Sequence, residues 1–408
     1  MTAGRPLKVL LKSPFSQYSG YGTDGFGLAR ALHRWGCDVY VQPTWLDVPV
    51  PRDLFPLFTK ELRAPFDLLI NHWDPEHLSI TPEARQCARV AVGWTMWEFA
   101  GGPGKPRADG GPRPVSGLVP HCRGLTTLRG RLKWFDLVLG YDPVSLAAIE
   151  PYMPPKVHYG ILQGGYDSGD WKPVERDWFG ERFGFAMHGS LNRRKAPWTA
   201  IQAFNELKFE KGDEFAGATL ALHTSMPDTL FPELNGPFEQ QKIRVFVEAF
   251  DKPTLDQFYA SAHCLLAPSW GEGKNLPALE FQTTGGVVAA TNFGGHTMWL
   301  NGDYAYPLDY ALVPTIPAKP WAAHHAEVSI EEMKRVIWHV FTNRAEAKRK
   351  AEMASRMIPQ MCDWRVVVED LFRRIGDVVT GPGPEVAAVA FGCRREAEEE
   401  PGRWPALR

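Results

Sequence analysis

The chain has 408 residues, 44% of them hydrophobic and 23% charged, the balance of a globular protein with material for two or three domains. Its 45 Lys and Arg nearly cancel 47 Asp and Glu, for a formal charge of −2, which excludes a wholly basic nucleic-acid coat protein and leaves room for a local basic face. No apolar run approaches the ~18 residues of a membrane span, and the opening residues 1–12 show no signal-peptide apolar stretch. The 6 cysteines, at 37, 87, 122, 264, 362 and 393, form no CxxC pair. Neither a disulfide framework nor a metal site is expected, and the chain reads as reduced and cytoplasmic.

In chain order, Leu7–Leu11 is a buried-strand run. The glycine-rich stretch Ser19–Gly25 reads as a loop. Phe26, Leu28, Ala29, Leu32 and Trp35 then recur at helical spacing up to Gly36, and Asp38–Val41 is a second strand. Apolar bursts follow at Phe66–Ile70, Arg89–Val92 and Leu137–Leu139. Between 101 and 114, five Gly and four Pro exclude helix and central strand and predict a long loop. Gln163–Pro173 is again turn-rich and reads as a hinge between domains. The alternation then restarts, with strands at Phe183–Met187, Thr219–His223, Ile243–Val245, Cys264–Ala267 and Val287–Ala290 and a helix over Pro197–Leu207. Residues 329–356 and 364–378 are amphipathic helices. Such alternation predicts an α/β protein with parallel sheets covered by helices on both faces. The expected division is a Rossmann-like N-terminal domain (1–165), a Rossmann-like C-terminal domain (174–361), a closing helix (362–379) and a disordered tail (380–408) whose composition turns to Gly, Pro, Ala and then charge.

The segment with most chemistry is Pro268–Glu280, where a buried strand runs into a loop and Pro277 takes the first-turn position of a new helix. Gly271 and Gly273 let backbone N–H groups approach a ligand, and the helix N-terminus offers a positive dipole end suited to phosphate. Glu280, placed in the first turn, can accept two hydrogen bonds from a vicinal diol such as a ribose. Glu272, eight positions earlier, lies in the loop facing the same crevice.

This Glu-x7-Glu spacing within strand–loop–Pro–helix resembles the signature of retaining GT-B glycosyltransferases of family 4. The resemblance continues in Thr284–His296, where the family has a glycine turn, a strand and a Gly-Gly turn. It also covers His188–Lys195, similar to the family's donor-pyrophosphate motif. Lys195 matches the family lysine; Ser190 stands where the family has an arginine, with Arg193 or Arg194 as the nearest substitutes. Asp363-Trp364 and the helix after it resemble the family's closing helix, which returns to the N-terminal domain. Ser19-Gly20-Tyr21-Gly22 is similar to the family's glycine-rich loop under the donor phosphates.

The resemblance implies two Rossmann-like domains facing each other across a cleft. It also implies retaining, metal-independent transfer of a sugar from a nucleotide-sugar to a hydroxyl acceptor, with no further cofactor. Glu280 would hold the ribose, and Lys195 with Arg194 the pyrophosphate. Glu272 with the Gly271–Asn275 backbone would hold the sugar, and Gly273, Lys274, Asn275 and Leu276 would bind the donor. Gly20, Tyr21 and Gly22 would lie under the donor phosphates. On the acceptor side, His72 closes one strand and would face the cleft, and Trp97 and Glu98 close the next; His72 and Glu98 join Glu272 and Lys195 as the candidate catalytic residues, and Trp97 would bind the acceptor. Many family members carry a histidine near that second position; here Glu98 is the ionisable residue.

Other readings stand beside this one. Gly20–Gly25 also spells GxGxxG, yet Ser13–Ser19 separate it from the strand, against the tight turn that an NAD-dependent oxidoreductase needs. A nucleotide-sugar phosphorylase or epimerase on the same fold, and a silent binding module, are the further alternatives. His72 has a structural reading as a backbone-bonded histidine and Glu98 as a paired structural carboxylate. His324 and His325 are expected to face solvent. From 101 to 133 seven basic residues meet one acidic residue. The plain account is a solvated basic face. The sharper account is that Arg129, Arg131 and Lys133, with Trp97, grip a polyanionic acceptor such as a phosphorylated glycan, an acidic protein segment or nucleic acid.

Overall fold

The computed structural model describes residues 5–16, 19–75, 77–97, 125–224, 242–319 and 322–380. Glu98, the 101–114 loop with the basic residues up to Arg123, and the tail beyond Thr380 lie outside the described residues. Residues 5–97, 125–169 and 362–380 form one compact unit and 170–361 a second.

The first unit contains β1 (Lys8–Phe15), α1 (Gly20–Arg34), β2 (Asp38–Leu46), α2 (Phe55–Phe58), β3 (Phe66–His72), α3 (Pro82–Gln86), β4 (Ala88–Thr95), α4 (Leu125–Leu132), β5 (Leu137–Gly140), α5 (Pro143–Ile149) and β6 (His158–Ile161). All six strands are parallel, in the order β2-β1-β3-β4-β5-β6. Both faces of the central strands are covered, which is why β1, β3 and β4 read as continuous apolar runs rather than alternating ones. The edge strand β6 is half exposed and carries no such run, so the sequence pattern does not mark it.

The glycine-rich stretch after β1 is not a loop. Ser19 caps α1 by accepting a hydrogen bond from Gly22 N at 3.0 Å, so Gly20, Tyr21 and Gly22 form the first helical turn. Close packing is what the glycines permit. A Cβ on Gly22 would lie 2.2 Å from Ser16 N, and one on Gly25 2.1 Å from the Pro14 carbonyl oxygen. The helix ends as the sequence predicts, with Gly36 at φ +91°.

The second unit contains β7 (Phe183–His188), α6 (Pro197–Lys211), β8 (Ala218–Thr224), β9 (Ile243–Val247), α7 (Lys252–Ala260), β10 (Cys264–Ala267), α8 (Leu276–Thr283), β11 (Val287–Thr291), β12 (Tyr306–Leu308), β13 (Ala311–Lys319), β14 (Ala322–Glu327), α9 (Ile330–Thr342) and α10 (Arg344–Cys362). Its main sheet is parallel, in the order β12-β11-β10-β7-β8-β9, and β13 and β14 pair separately as an antiparallel ribbon. Phe183, Phe185, Phe204, Phe215, Ile337 and Phe341 anchor the core. The single helix expected over 329–356 is two. Thr342 Oγ1 donates to the Trp338 carbonyl at 2.8 Å and Asn343 Nδ2 to the His339 carbonyl at 2.9 Å. These side-chain bonds cap the end of α9, the His339 carbonyl also keeping its backbone bond from Asn343 N at 2.9 Å. The second helix then runs through Pro359 to Cys362.

The chain returns to the first unit with α11 (Trp364–Thr380). Trp364, Val367, Val368, Leu371, Phe372 and Ile375 are buried in that unit's core, a gross gain on the order of 10 kcal/mol at 1.5–3 kcal/mol per buried side chain. Trp364 is the key: a Cβ on Gly27 would lie 2.0 Å from its indole nitrogen, and one on Gly165 2.4 Å from its ring. This is the returning helix that the fold expectation required.

In each sheet the first strand has its successor on one side and a later strand on the other. The order therefore reverses at β1/β3 and at β7/β10, the places where parallel α/β sheets take ligands, outside the carboxyl ends of the strands.

Candidate functional site

At the β7/β10 reversal, the loop after β7 meets the loop after β10. Trp270 N donates to the Arg194 carbonyl at 2.8 Å, and Arg194 Nη1 donates to the Gly271 carbonyl at 2.5 Å. Asn192 caps the short turn that carries Arg193–Lys195. Two cations thereby converge on one carboxylate. Lys195 Nζ lies 2.5 Å from Glu272 Oε1, and Arg194 Nη1 lies 3.0 Å from Oε2. Glu272 is 3% exposed. Burial alone would raise its carboxyl, but Lys195 and Arg194 outweigh that and hold it well below the usual carboxylate range.

The rest of the 268–275 loop is fixed by tight backbone packing. Gly295 N donates to the Glu272 carbonyl at 2.7 Å, and a Cβ on Gly295 would lie 1.8 Å from the Gly273 carbonyl oxygen. Lys274 is buried, and its carbonyl accepts from Trp299 Nε1 at 2.8 Å. Asn275 sits in the left-handed region at φ 63°, a conformation asparagine tolerates, and so turns the chain into α8 at Leu276. Its Nδ2 donates to His296 Nε2 at 3.0 Å, while His296 Nδ1 donates to the Thr291 carbonyl at 2.8 Å. His296 is therefore neutral, and burial pushes its pKa down to about 4. Within the Thr284–His296 motif, nothing in the sequence alone gives His296 a role. Its signal was the Gly-Gly turn before it.

Glu280 belongs to the second turn of α8, not the first. It accepts from Tyr259 Oη at 3.0 Å. Burial pushes its carboxyl up to about 7, against the Tyr259 bond and the charges of Lys274 and Lys252. Tyr259, from α7, went unread in the sequence. So did a histidine pair: His188, the last residue of β7, lies in register with His223, one residue before the end of the neighbouring strand β8. His223 Nε2 donates to the Glu248 carbonyl at 2.8 Å, so its Nδ1 accepts from His188 Nδ1–H at 2.7 Å. Both rings are neutral, and burial takes His188 down to about 3. A histidine at or next to the end of each strand would have been the clue, had their pairing been known.

His325 corrects a solvent-facing expectation. It is buried and stacks on Trp270 at 4.0 Å, with Arg193 over the other ring 5.4 Å away.

The first unit holds the remaining residues. His72 is fully buried, with Ser13 Oγ 2.9 Å from Nδ1 and Tyr141 Oη 2.6 Å from Nε2; the open face expected for it is taken up by protein. Tyr21 Oη donates to the Met96 carbonyl. Trp97 N donates to Ser145 Oγ at 2.8 Å. Arg129 and Arg131 lie in the last turn of α4, where cations suit the helix dipole. Lys133 is exposed and lies over Trp134 at 4.8 Å. Gly20, Tyr21 and Gly22 form the first turn of α1, with Gly22 close against Ser16, which removes the tight strand-to-helix turn of a dinucleotide fingerprint. Among the described residues no helix is long and apolar enough to cross a membrane.

No protein-family model and no curated protein matches the chain. Solved structures do. A glycosyltransferase from Rickettsia africae superposes with a TM-score of 0.62 at 12% identity, over 93% of this chain and 100% of that one. Sucrose-phosphate synthase from Thermosynechococcus elongatus gives 0.58 at 13%, over 90% and 99%. Anabaena HepE, solved in complex with UDP and glucose, gives 0.54 at 14%, over 90% and 99%. With its two parallel six-stranded sheets and returning C-terminal helix, the chain has the GT-B fold of these glycosyltransferases.

Proposed function

We propose that the chain is a retaining, family-4-like glycosyltransferase that moves a sugar from a nucleoside diphosphate donor to a hydroxyl acceptor. The observation that carries this reading is the convergence of Lys195 and Arg194 on Glu272 at the β7/β10 reversal, beside the start of α8. Two cations against one carboxylate leave a local positive charge, and a diphosphate supplies what they lack. Its oxygens take over Lys195 and Arg194, and Glu272 turns to the sugar hydroxyls. Glu280, ionised, accepts from the ribose diol. As the sugar–phosphate bond breaks, negative charge grows on the leaving diphosphate, where the fixed cations and the N-terminus of α8 stabilise it. The acceptor oxygen attacks from the face the diphosphate leaves, and a diphosphate oxygen takes the acceptor proton. No side-chain nucleophile and no metal is needed.

HepE's UDP complex makes uridine donors the first to try. On the acceptor side, Trp97, Glu98, Arg129, Arg131 and Lys133 are the proposed contacts. His72, with both nitrogens engaged, serves the scaffold. The test is a panel of nucleoside diphosphate sugars, reading diphosphate release and the anomeric configuration of the product. No binding of any nucleoside diphosphate refutes the reading, and an inverted anomer refutes retention. Replacing Arg129, Arg131 and Lys133 with Ser should raise the acceptor KM and flatten its dependence on salt between 50 and 200 mM, the range in which phosphate contacts show; unchanged acceptor kinetics return these residues to a solvated face.

A further inference from the structure

Both faces of the first sheet end in polar side chains at the carboxyl ends of β1, β3 and β4, and the two faces differ in how those groups are served. On the face of Leu11, Ile70 and Trp94 the groups serve one another. Tyr141 Oη donates to Asp24 at 2.8 Å and accepts from His72 Nε2, whose other nitrogen meets Ser13 Oγ. That face needs no ligand.

On the face of Leu10, Leu69 and Ala91 the account does not close. Lys12 pairs in register with Asn71, and Asn71 with Gly93, two residues before Thr95, so Lys12, Asn71 and Thr95 share one face of three adjacent strands. The loop after β3 returns over them: Asn71 Oδ1 accepts from Ser79 N at 3.1 Å, and Lys12 Nζ donates to the Ser79 carbonyl at 3.1 Å. Asn71 and Thr95 are fully buried, yet among the described residues Asn71 Nδ2 and Thr95 Oγ1 have no hydrogen-bond partner. Lys12 is half-buried, burial lowers its pKa, and among the described residues no carboxylate acts on it.

Among the described residues, the unused capacity is the two Asn71 amide N–H groups, the spare ammonium N–H groups and a hydroxyl. Buried donors of this kind are rarely left unmade. A water molecule would bring two further protons, for which this set offers only the Thr95 oxygen as an acceptor. An anion brings acceptors alone. We propose that Lys12, Asn71 and Thr95 form an oxyanion site, at the β1/β3 reversal, for a carboxylate or phosphate group. This assignment does not depend on glycosyl transfer.

The test is calorimetric titration of the full chain at constant ionic strength, with inorganic phosphate and with acetate in separate arms. The parent is compared with Lys12→Met, Lys12→Arg and Asn71→Asp. Binding elsewhere is common to all four proteins, so the difference is the readout. We expect Lys12→Met and Asn71→Asp to lose one equivalent of anion, or to bind it at least tenfold more weakly, while Lys12→Arg keeps it. The carboxylate introduced by Asn71→Asp fills the site from within, so that variant should melt no lower than the parent. The stronger arm names the group, phosphate or carboxylate. Identical isotherms in parent and Asn71→Asp would mean that water or nothing serves these donors, and would overturn the proposal even if Lys12→Met failed to fold.

Discussion

Glu280→Gln separates what Glu280 does for a ligand from what it costs the fold. In the folded unit its carboxyl is pushed up to about 7 by burial, against 4.5 for an ordinary glutamate. The unfolded chain therefore gives up this proton first. The stability this group contributes is fully present below pH ~4.5, falls as pH rises toward ~7 and is gone above it. The whole interval corresponds to about 3 kcal/mol, of which about 2.5 kcal/mol falls between pH 5 and pH 8, because the unfolded carboxyl already titrates at pH 5. Glutamine keeps the shape and an acceptor for the Tyr259 hydroxyl at 3.0 Å, and it does not titrate. Any fixed packing change cancels when variant and parent are compared at two pH values. The variant should gain about 2–3 kcal/mol on the parent between pH 5 and pH 8, or roughly 5–10 °C in the melting transition of the second unit, read by scanning calorimetry. Nucleoside diphosphate binding should move the other way, much weaker than the parent at pH 8 and similar at pH 5, where the parent too is protonated. Parallel pH dependences for variant and parent would refute both the raised carboxyl and its role on the ribose.

Lys195→Ala leaves Glu272 buried with Arg194 alone, so the second unit should lose about 3 kcal/mol, and donor turnover should fall roughly 10²–10³-fold; a melting curve and a turnover assay check each half. Gly27→Ala drives a methyl into Trp364 and should cost the first unit about 1–3 kcal/mol, with the second unit's calorimetric transition unmoved. Turnover should survive EDTA, because Lys195 and Arg194 supply the charge a divalent ion would otherwise bring. Activity lost in EDTA and restored by magnesium or manganese would contradict that.

What the sequence determined by itself is local. The apolar runs at 7–11, 66–70, 183–187, 264–267 and 287–290 became central strands, because a strand covered on both faces needs no neighbour to explain its composition. Cys264–Glu280 was readable as strand, glycine loop and a helix with proline in its first turn for the same reason: backbone sterics act over a few residues. Where glycine meant close packing instead of a loop, as at Gly22 and Gly25, the sequence misled, since only the neighbours at Ser16 and Pro14 distinguish the two. Tertiary structure decided the rest. Glu272 meets Lys195 across 77 residues because β7 and β10 lie side by side. The His188–His223 pair and the Tyr259–Glu280 bond likewise exist only once strand order and helix placement are set. His325 is buried because a two-stranded ribbon lays it on Trp270. Proton positions and carboxylate charge depend on burial and on partners distant in sequence, and those are properties of the packed chain alone.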